Sequence, residues 1–368
     1  LRSVTLGYGY APVVDAAHQA MKLGNNLSRP SMLELEAAER FVDLIDSADM
    51  VKFAKNGSNA TTAAVKIARA FTGRTVIAVP RQHPFFSFDD WFIGSTEVKR
   101  GVPVQVRALT AHFDYGDISS LERVFAEHPG QVALVIMEPA TSALPCAQGC
   151  PVIDFGQRCA GCPQVKSNFL HQVRAMCRKQ GSLFALDEMI TGFRWDLKGA
   201  QSMFGVTPDL TTFGKAMANG FSVAAVVGRR EVMEVGAIDV PGMERTFLLS
   251  TTHGAEMSSL GAFLKTVQTY EILEVCKHLW HFGSLLRAQW NEMIGLAGLE
   301  EYIQLLGPDI GLELVTRDAA RQSSLEFRTL FLQEMARKGI LVPALAASFS
   351  HGPKELELTL EALEETLQ

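Results

Sequence analysis

The stretch Leu183-Phe-Ala-Leu-Asp-Glu-Met-Ile-Thr-Gly-Phe-Arg194, with its sequel Pro208-Asp-Leu-Thr-Thr-Phe-Gly-Lys215, decides how the chain is read. Each part is a short apolar run between turn residues, the pattern of a buried strand. The first run ends in two carboxylates, Asp187 and Glu188, and the second in Lys215. Taken singly, two acids at a strand end are a solvated turn and one lysine is a surface lysine. Together they deliver an acid and an amine to the carboxyl ends of two strands, where open α/β sheets place their chemistry.

That pair suits pyridoxal phosphate, which needs a lysine for covalent attachment and a carboxylate to keep its ring nitrogen protonated. Lys215 then shuttles a proton, which a lysine does well only with a lowered pKa.

The flanking pattern predicts the frame. Strands are expected at Met50–Ala54, Thr75–Val79, Val102–Leu109, Gln131–Met137, Leu183–Leu186, Leu210–Phe213 and Val223–Val227. Helices are expected at Val13–Leu23, Ser31–Ile45, Ala60–Phe71, Asp117–Glu127 and Phe169–Arg178. Ser31 with Glu34 forms a capping box. The βαβ rhythm implies a mainly parallel sheet covered on both faces. Asn56-Gly-Ser-Asn59 lies between a strand and a helix, an arrangement that suits a phosphate, although taken alone it reads first as a plain helix cap. The loop Arg81–Trp91 carries His83 and several aromatic residues, which read as a ring-stacking platform or as packing. From about Gly254 the pattern changes to two long helices (Glu256–Val275, His278–Met293), short strands (Tyr302–Leu305, Gly311–Val315) and helices Ser324–Lys338 and Lys354–Leu367, a smaller α+β domain.

Composition narrows the function classes. The 368 residues are 47% hydrophobic and 20% charged, with a formal net charge of −6. No Lys/Arg run marks a nucleic-acid or anionic-membrane partner, no apolar run approaches a membrane span, and no G-x-G-x-x-G follows a strand. Six cysteines in such a length do not make a disulfide scaffold. A cytoplasmic protein is expected. The chain opens on Leu, so it reads as starting inside a longer product. Cys146, Cys150, Cys159 and Cys162 form C-x3-C-x8-C-x2-C. Four thiolates in one loop fit a structural zinc; free thiols or an oxidative disulfide are the alternatives. Cys177 and Cys276 read as helix packing.

The same stretches resemble the class III pyridoxal-phosphate-dependent aminotransferases, and within them the glutamate-1-semialdehyde 2,1-aminomutase branch. The resemblance covers nearly the whole chain and rests on Asp187–Arg194, Pro208–Lys215, Lys55–Ala60 with Ala68–Gly73, and Ser250–Gly254. It implies the fold type I α/β architecture: a large domain (28–254) with a seven-stranded type of sheet and a Cys-rich insertion at about 142–166, a remnant of the small domain at 1–27, and a connecting helix plus C-terminal small domain at 255–368. It implies Lys215 as the Schiff-base lysine, Asp187 on the ring nitrogen and Met189 on one ring face. Gly57, Ser58 and Asn59 fall at the phosphate turn, and Glu138 lies beside the cofactor. His83 or Phe85 stacks on the ring. Thr251 reaches the phosphate of a neighbouring subunit, so a homodimer with a shared site is implied.

Four segments depart from the family pattern: Asn56–Asn59, Gln82-His83-Pro84, Ala216–Gly220 and Thr141–Leu144. They favour amino transfer between a separate small-molecule donor and carbonyl acceptor over the intramolecular mutase reaction. A decarboxylase or racemase would use the same lysine and aspartate. A non-catalytic scaffold would need neither.

Overall fold

The computed structural model describes residues 2–146, 167–239, 241–242, 244–246, 252–342 and 345–368. Its main sheet contains β1 (Met50–Ala54), β2 (Val76–Pro80), β3 (Thr110–Phe113), β4 (Val132–Met137), β5 (Leu183–Asp187), β6 (Leu210–Phe213) and β7 (Ala224–Gly228). Their order is β1-β7-β6-β5-β4-β2-β3. Pairings from β6 through β3 are parallel, whereas β7 runs antiparallel to both β6 and β1.

The sheet is buried on both sides. In β5, Phe184 and Leu186 join one apolar cluster, with Phe41, Leu121, Leu170 and Phe263, while Leu183 and Ala185 join another with Ala64, Ile67 and Val232. Alternating side chains of one strand therefore serve opposite layers, which is why its sequence is apolar throughout. The helix Gly57–Thr72 covers the second face; the helices Met32–Leu44, Ile118–Glu127 and Phe169–Gln180 cover the first.

One expected strand is wrong. Residues Val104–Arg107 form a single helical turn, and the strand begins only at Thr110. The alternating valines of Val102–Val106 imitate a strand, but Pro103 has no N–H for a ladder and sits at φ −58°, ready to start a helix. The Ser31 half of the capping box forms, with Ser31 Oγ accepting from the Glu34 N–H at 3.0 Å.

The N-terminal helix Ala11–Met21 packs on the helix Met257–Leu273. Gly261 makes this close approach feasible, since a Cβ there would lie 2.8 Å from Ala20 Cβ and 3.0 Å from Ala16 O. Glu274, at φ +48°, separates that helix from the next, Val275–Leu296. The antiparallel pair β8 (Ile303–Leu306) and β9 (Glu313–Thr316) packs with Leu325–Arg337 and Pro353–Leu367 around Trp290, Phe331, Met335 and Leu363. Among the described residues no helix is long and apolar enough to cross a membrane.

Candidate active site

The ends of β5 and β6 lie side by side, with Asp187 paired in register with Thr212. Asp187 Oδ1 accepts from the Met189 N–H and from Thr212 Oγ1, each at 3.0 Å. Burial raises its carboxyl to about 6, against the pull of Lys215 and these two hydrogen bonds. A buried acid of this kind gains most from a cation placed against it.

Lys215 is half-buried and opens a 3-10 turn directly after Gly214. Its φ of +43° is a left-handed conformation that costs a non-glycine residue energy and persists only when the surroundings impose it. Those surroundings are visible. Tyr270 Oη donates to Ala216 O at 2.9 Å from the helix behind. Asn219 Oδ1 accepts from Leu6 N at 2.8 Å, and its Nδ2 donates to Gly7 O at 3.1 Å.

Asn56 caps the helix Gly57–Thr72, its Oδ1 accepting from Asn59 N at 3.0 Å. The Asn59 N–H is therefore occupied, while those of Gly57 and Ser58 fall among the helix-start donors that have no intrahelical acceptor. Ser58 Oγ accepts from Phe88 N at 3.1 Å and keeps its own proton to donate. Met189 lies between this helix start and the lysine turn. A Cβ on Gly57 would sit 2.9 Å from its sulfur, and one on Gly214 would sit 2.7 Å away.

From β4, Glu138 enters the same region. Its carboxyl is pushed up to about 8 by burial and then by Asp187. Its N–H donates to His83 Nδ1 at 3.1 Å, which puts the His83 proton on Nε2. Burial holds His83 at about 4, so the ring is neutral, and Nε2 is buried with no acceptor among the described residues. The imidazole leans on Tyr115, with ring centroids 5.1 Å apart, and Tyr115 Oη donates to Pro139 O at 2.7 Å. Phe85 is 53% exposed and meets Phe92 edge-on.

Glu188 turns the other way. It accepts from Thr191 Oγ1, from Ala200 N at 3.0 Å and from Gln201 N at 2.7 Å, fully buried. It is a strut that fixes the turn after β5. The paired acids thus divide into one within electrostatic reach of Lys215 and one bonded into the scaffold.

Asp187, Met189, Lys215, Gly57, Glu138 and His83 are thus brought to one edge of the sheet. Thr251, Cys150, Cys159 and Cys162 lie outside the described residues, and Cys146 is half-buried at the border of that segment. Among the described residues no three His, Cys, Asp or Glu side chains cluster as metal ligands. Thr212, Asn219 and Tyr270 were not foreseen. The signal for Thr212 was its position one residue before Phe213 at the strand end; Asn219 and Tyr270 left none.

The donor set fits pyridoxal phosphate. The fitting observations are a buried carboxylate opposite a lysine, a helix start with open N–H groups, and the orphaned His83 Nε2. Residues 1–347 match the aminotransferase class-III family. A glutamate-1-semialdehyde 2,1-aminomutase of Aeropyrum pernix is 28% identical, covering 99% of this chain and 84% of that protein. One from Sulfurihydrogenibium azorense is also 28% identical, over 98% and 84%. Among solved structures, an omega-transaminase from Sphaerobacter thermophilus superposes with a TM-score of 0.83 at 26% identity, covering all of this chain and 85% of that one.

Proposed function

We propose that this chain, which belongs to the class III aminotransferases, moves an amino group from a small-molecule donor to a separate carbonyl acceptor through Lys215. The enzyme depends on pyridoxal phosphate, as its family does. One observation carries the reading: the register Asp187–Thr212 brings the carboxylate of β5 and the lysine that follows β6 to the same edge, beside the Gly57 helix start.

Pyridoxal phosphate, when bound, supplies an electron-accepting ring that stabilises negative charge on a substrate carbon that has lost its proton. The chain's residues do the rest. The Gly57 and Ser58 N–H groups, at the positive end of a helix, would hold the phosphate. The Asp187 carboxylate, oriented by Thr212 and the Met189 N–H, would hold the proton on the ring nitrogen of the bound cofactor. Lys215 Nζ removes the substrate proton and returns it at a neighbouring carbon. His83 Nε2–H is a neutral donor fixed by Glu138 N. His83 is buried and fixed by the Glu138 N–H, whereas Phe85 is 53% exposed, which favours His83 as the residue that would lie against the ring.

A homodimer is part of this reading. Leu23 and Met32, 74% and 78% exposed, flank the loop between two N-terminal helices and leave an apolar face that a second copy would cover. The solution mass tests it.

The intramolecular mutase named for the curated relatives is the alternative reading. An absorbance spectrum with L-glutamate separates the two. Transfer between molecules moves a band near ~420 nm to ~330 nm and releases a keto acid. A band that moves only with a diamino or amino-aldehyde substrate supports the mutase, and no band with added cofactor overturns both.

A further inference from the structure

The 3-10 turn Lys215–Ala218 closes on Asn219, and Lys215 and Asn219 are both left-handed, at φ +43° and +45°. Asparagine adopts that angle more readily than other side chains, whereas lysine does so only where its surroundings impose it. The Asn219 amide is buried and reaches the N-terminal stretch Val4–Gly7, 213 positions away at Leu6. Its Oδ1 accepts from Leu6 N at 2.8 Å and its Nδ2 donates to Gly7 O at 3.1 Å. Val4 adds to the contact, since a Cβ on Gly220 would lie 3.3 Å from its Cγ2. The same stretch is also bonded to the C-terminal unit. Thr5 O accepts from Phe349 N and Leu6 O from Ser350 Oγ, each at 2.7 Å. Thr5 and Leu6 are fully buried. Gly7, at φ +115°, has no room for a side chain, because a Cβ there would overlap Ser350 Oγ. The stretch is therefore bonded to the lysine turn on one side and to Phe349 and Ser350 on the other.

We propose that Asn219 is a positioning residue for Lys215: clamped to Leu6 and Gly7, it holds the turn in the strained conformation from which the lysine works. This rests on the amino-transfer reading above. Asn219 touches no reacting atom and acts through the backbone of a four-residue turn. Its two bonds suit the task, because a donor and an acceptor on one planar amide fix its rotation as well as its place. A lysine that takes a proton from a carbon about 3–3.5 Å away is sensitive to placement, and an error of about 1 Å can cost on the order of 100-fold in rate. Lys215 is then placed by three parts of the chain at once. The sheet acts through Phe213, the helix behind through Tyr270, and the N-terminal stretch through Asn219.

The test compares wild type with Asn219→Gly, which accepts the left-handed angle and removes both bonds. Phe331→Leu, in the C-terminal core, controls for lost stability alone. In cofactor-free protein, amide exchange over Ala216–Phe221 is expected to quicken about 10-fold or more in Asn219→Gly, in line with two lost hydrogen bonds. When pyridoxal phosphate is added, the ~420 nm band that reports attachment to Lys215 is expected to form on the order of 10-fold more slowly. In the loaded protein, kcat should fall on the order of 10- to 100-fold while KM stays within about twofold. Phe331→Leu should leave attachment and kcat unchanged. Asn219→Asp keeps an acceptor for Leu6 N and loses the donor to Gly7 O, so it should fall between wild type and Asn219→Gly. If Asn219→Gly does not fold, Asn219→Asp decides by the same measurements. Faster exchange with unchanged attachment, or slower attachment with unchanged exchange, overturns the proposal. So does an equal loss of attachment rate in Phe331→Leu. Both effects in Asn219→Gly, together with a wild-type band that neither L-glutamate nor 1-phenylethylamine moves, would overturn the amino-transfer reading and leave the positioning role standing. Active wild type with neither effect in the variant would do the reverse.

Discussion

Thr212 Oγ1 lies 3.0 Å from Asp187 Oδ1 across one register pair of β5 and β6. The hydroxyl fixes which way the carboxylate faces, and both groups are buried. Replacing Thr212 by Val keeps the shape and removes the donor. Cofactor affinity is expected to fall by the worth of one charged hydrogen bond, about 1.5–3 kcal/mol or 10- to 150-fold. Thr212→Ser restores most of it. Fluorescence titration of cofactor-free protein measures both.

Lys215→Ala removes the amine that moves the proton. Turnover is expected to drop by at least ~10²–10⁴-fold, the range for a lost general base. The cofactor should also become removable by gel filtration without a competing amine. A variant that retained wild-type turnover would transfer the role to another residue.

Met189 and the two glycines that flank it form a coupled set. Gly57→Ala places a Cβ 2.9 Å from the sulfur, the far part of a flexible side chain. The expected cost is about 1–3 kcal/mol of stability from overpacking. Shortening Met189 to Val in the same chain should recover most of it, giving a coupling energy near ~1 kcal/mol in a double-mutant cycle by urea unfolding.

The buried acids set a pH dependence. Burial raises Glu188 to about 7 and Glu138 to about 8. Unfolded, both titrate near ~4.3. The stability they contribute is complete below that value and is lost as pH rises through 7 and 8. Between pH ~6.5 and ~8.5 the cofactor-free protein should therefore lose about 2–3 kcal/mol. Glu138→Gln should remove the larger share of that slope. Buried neutral His83 acts below this window, because its folded pKa is depressed to about 4 and it costs stability only as the unfolded chain protonates.

Much of the frame was legible because it depends on local pattern. The bounds of β1 and β6 match the reading, and the Asp187 and Lys215 ends fall where the apolar runs stop. The strand expected at Val102–Leu109 failed because alternation and a proline gave opposite signals, and the proline prevailed. The site's supporting bonds were illegible for a different reason. Thr212 to Asp187 and Asn219 to Leu6 join residues 25 and 213 positions apart. Such bonds exist only once register and packing are set. His83 and Phe85 could not be separated by composition, since only the fold decides which is buried against Glu138.

The left-handed residue Glu274 sets the reach of the molecule. Were Met257–Leu296 one uninterrupted helix, it would be a rod of ~60 Å that carried everything after it away from the sheet. A single left-handed residue instead redirects the chain between the two segments. The first turns of the second segment then clasp the loop leading out of β5: Cys276 Sγ lies 3.9 Å from Phe193 O, and Trp280 Nε1 donates to Trp195 O at 2.8 Å. Arg194 lies between these two anchored neighbours, and its Nη2 donates to Ala347 O at 3.0 Å. An insertion or deletion at Glu274 would shift both anchors against the loop that leads out of β5.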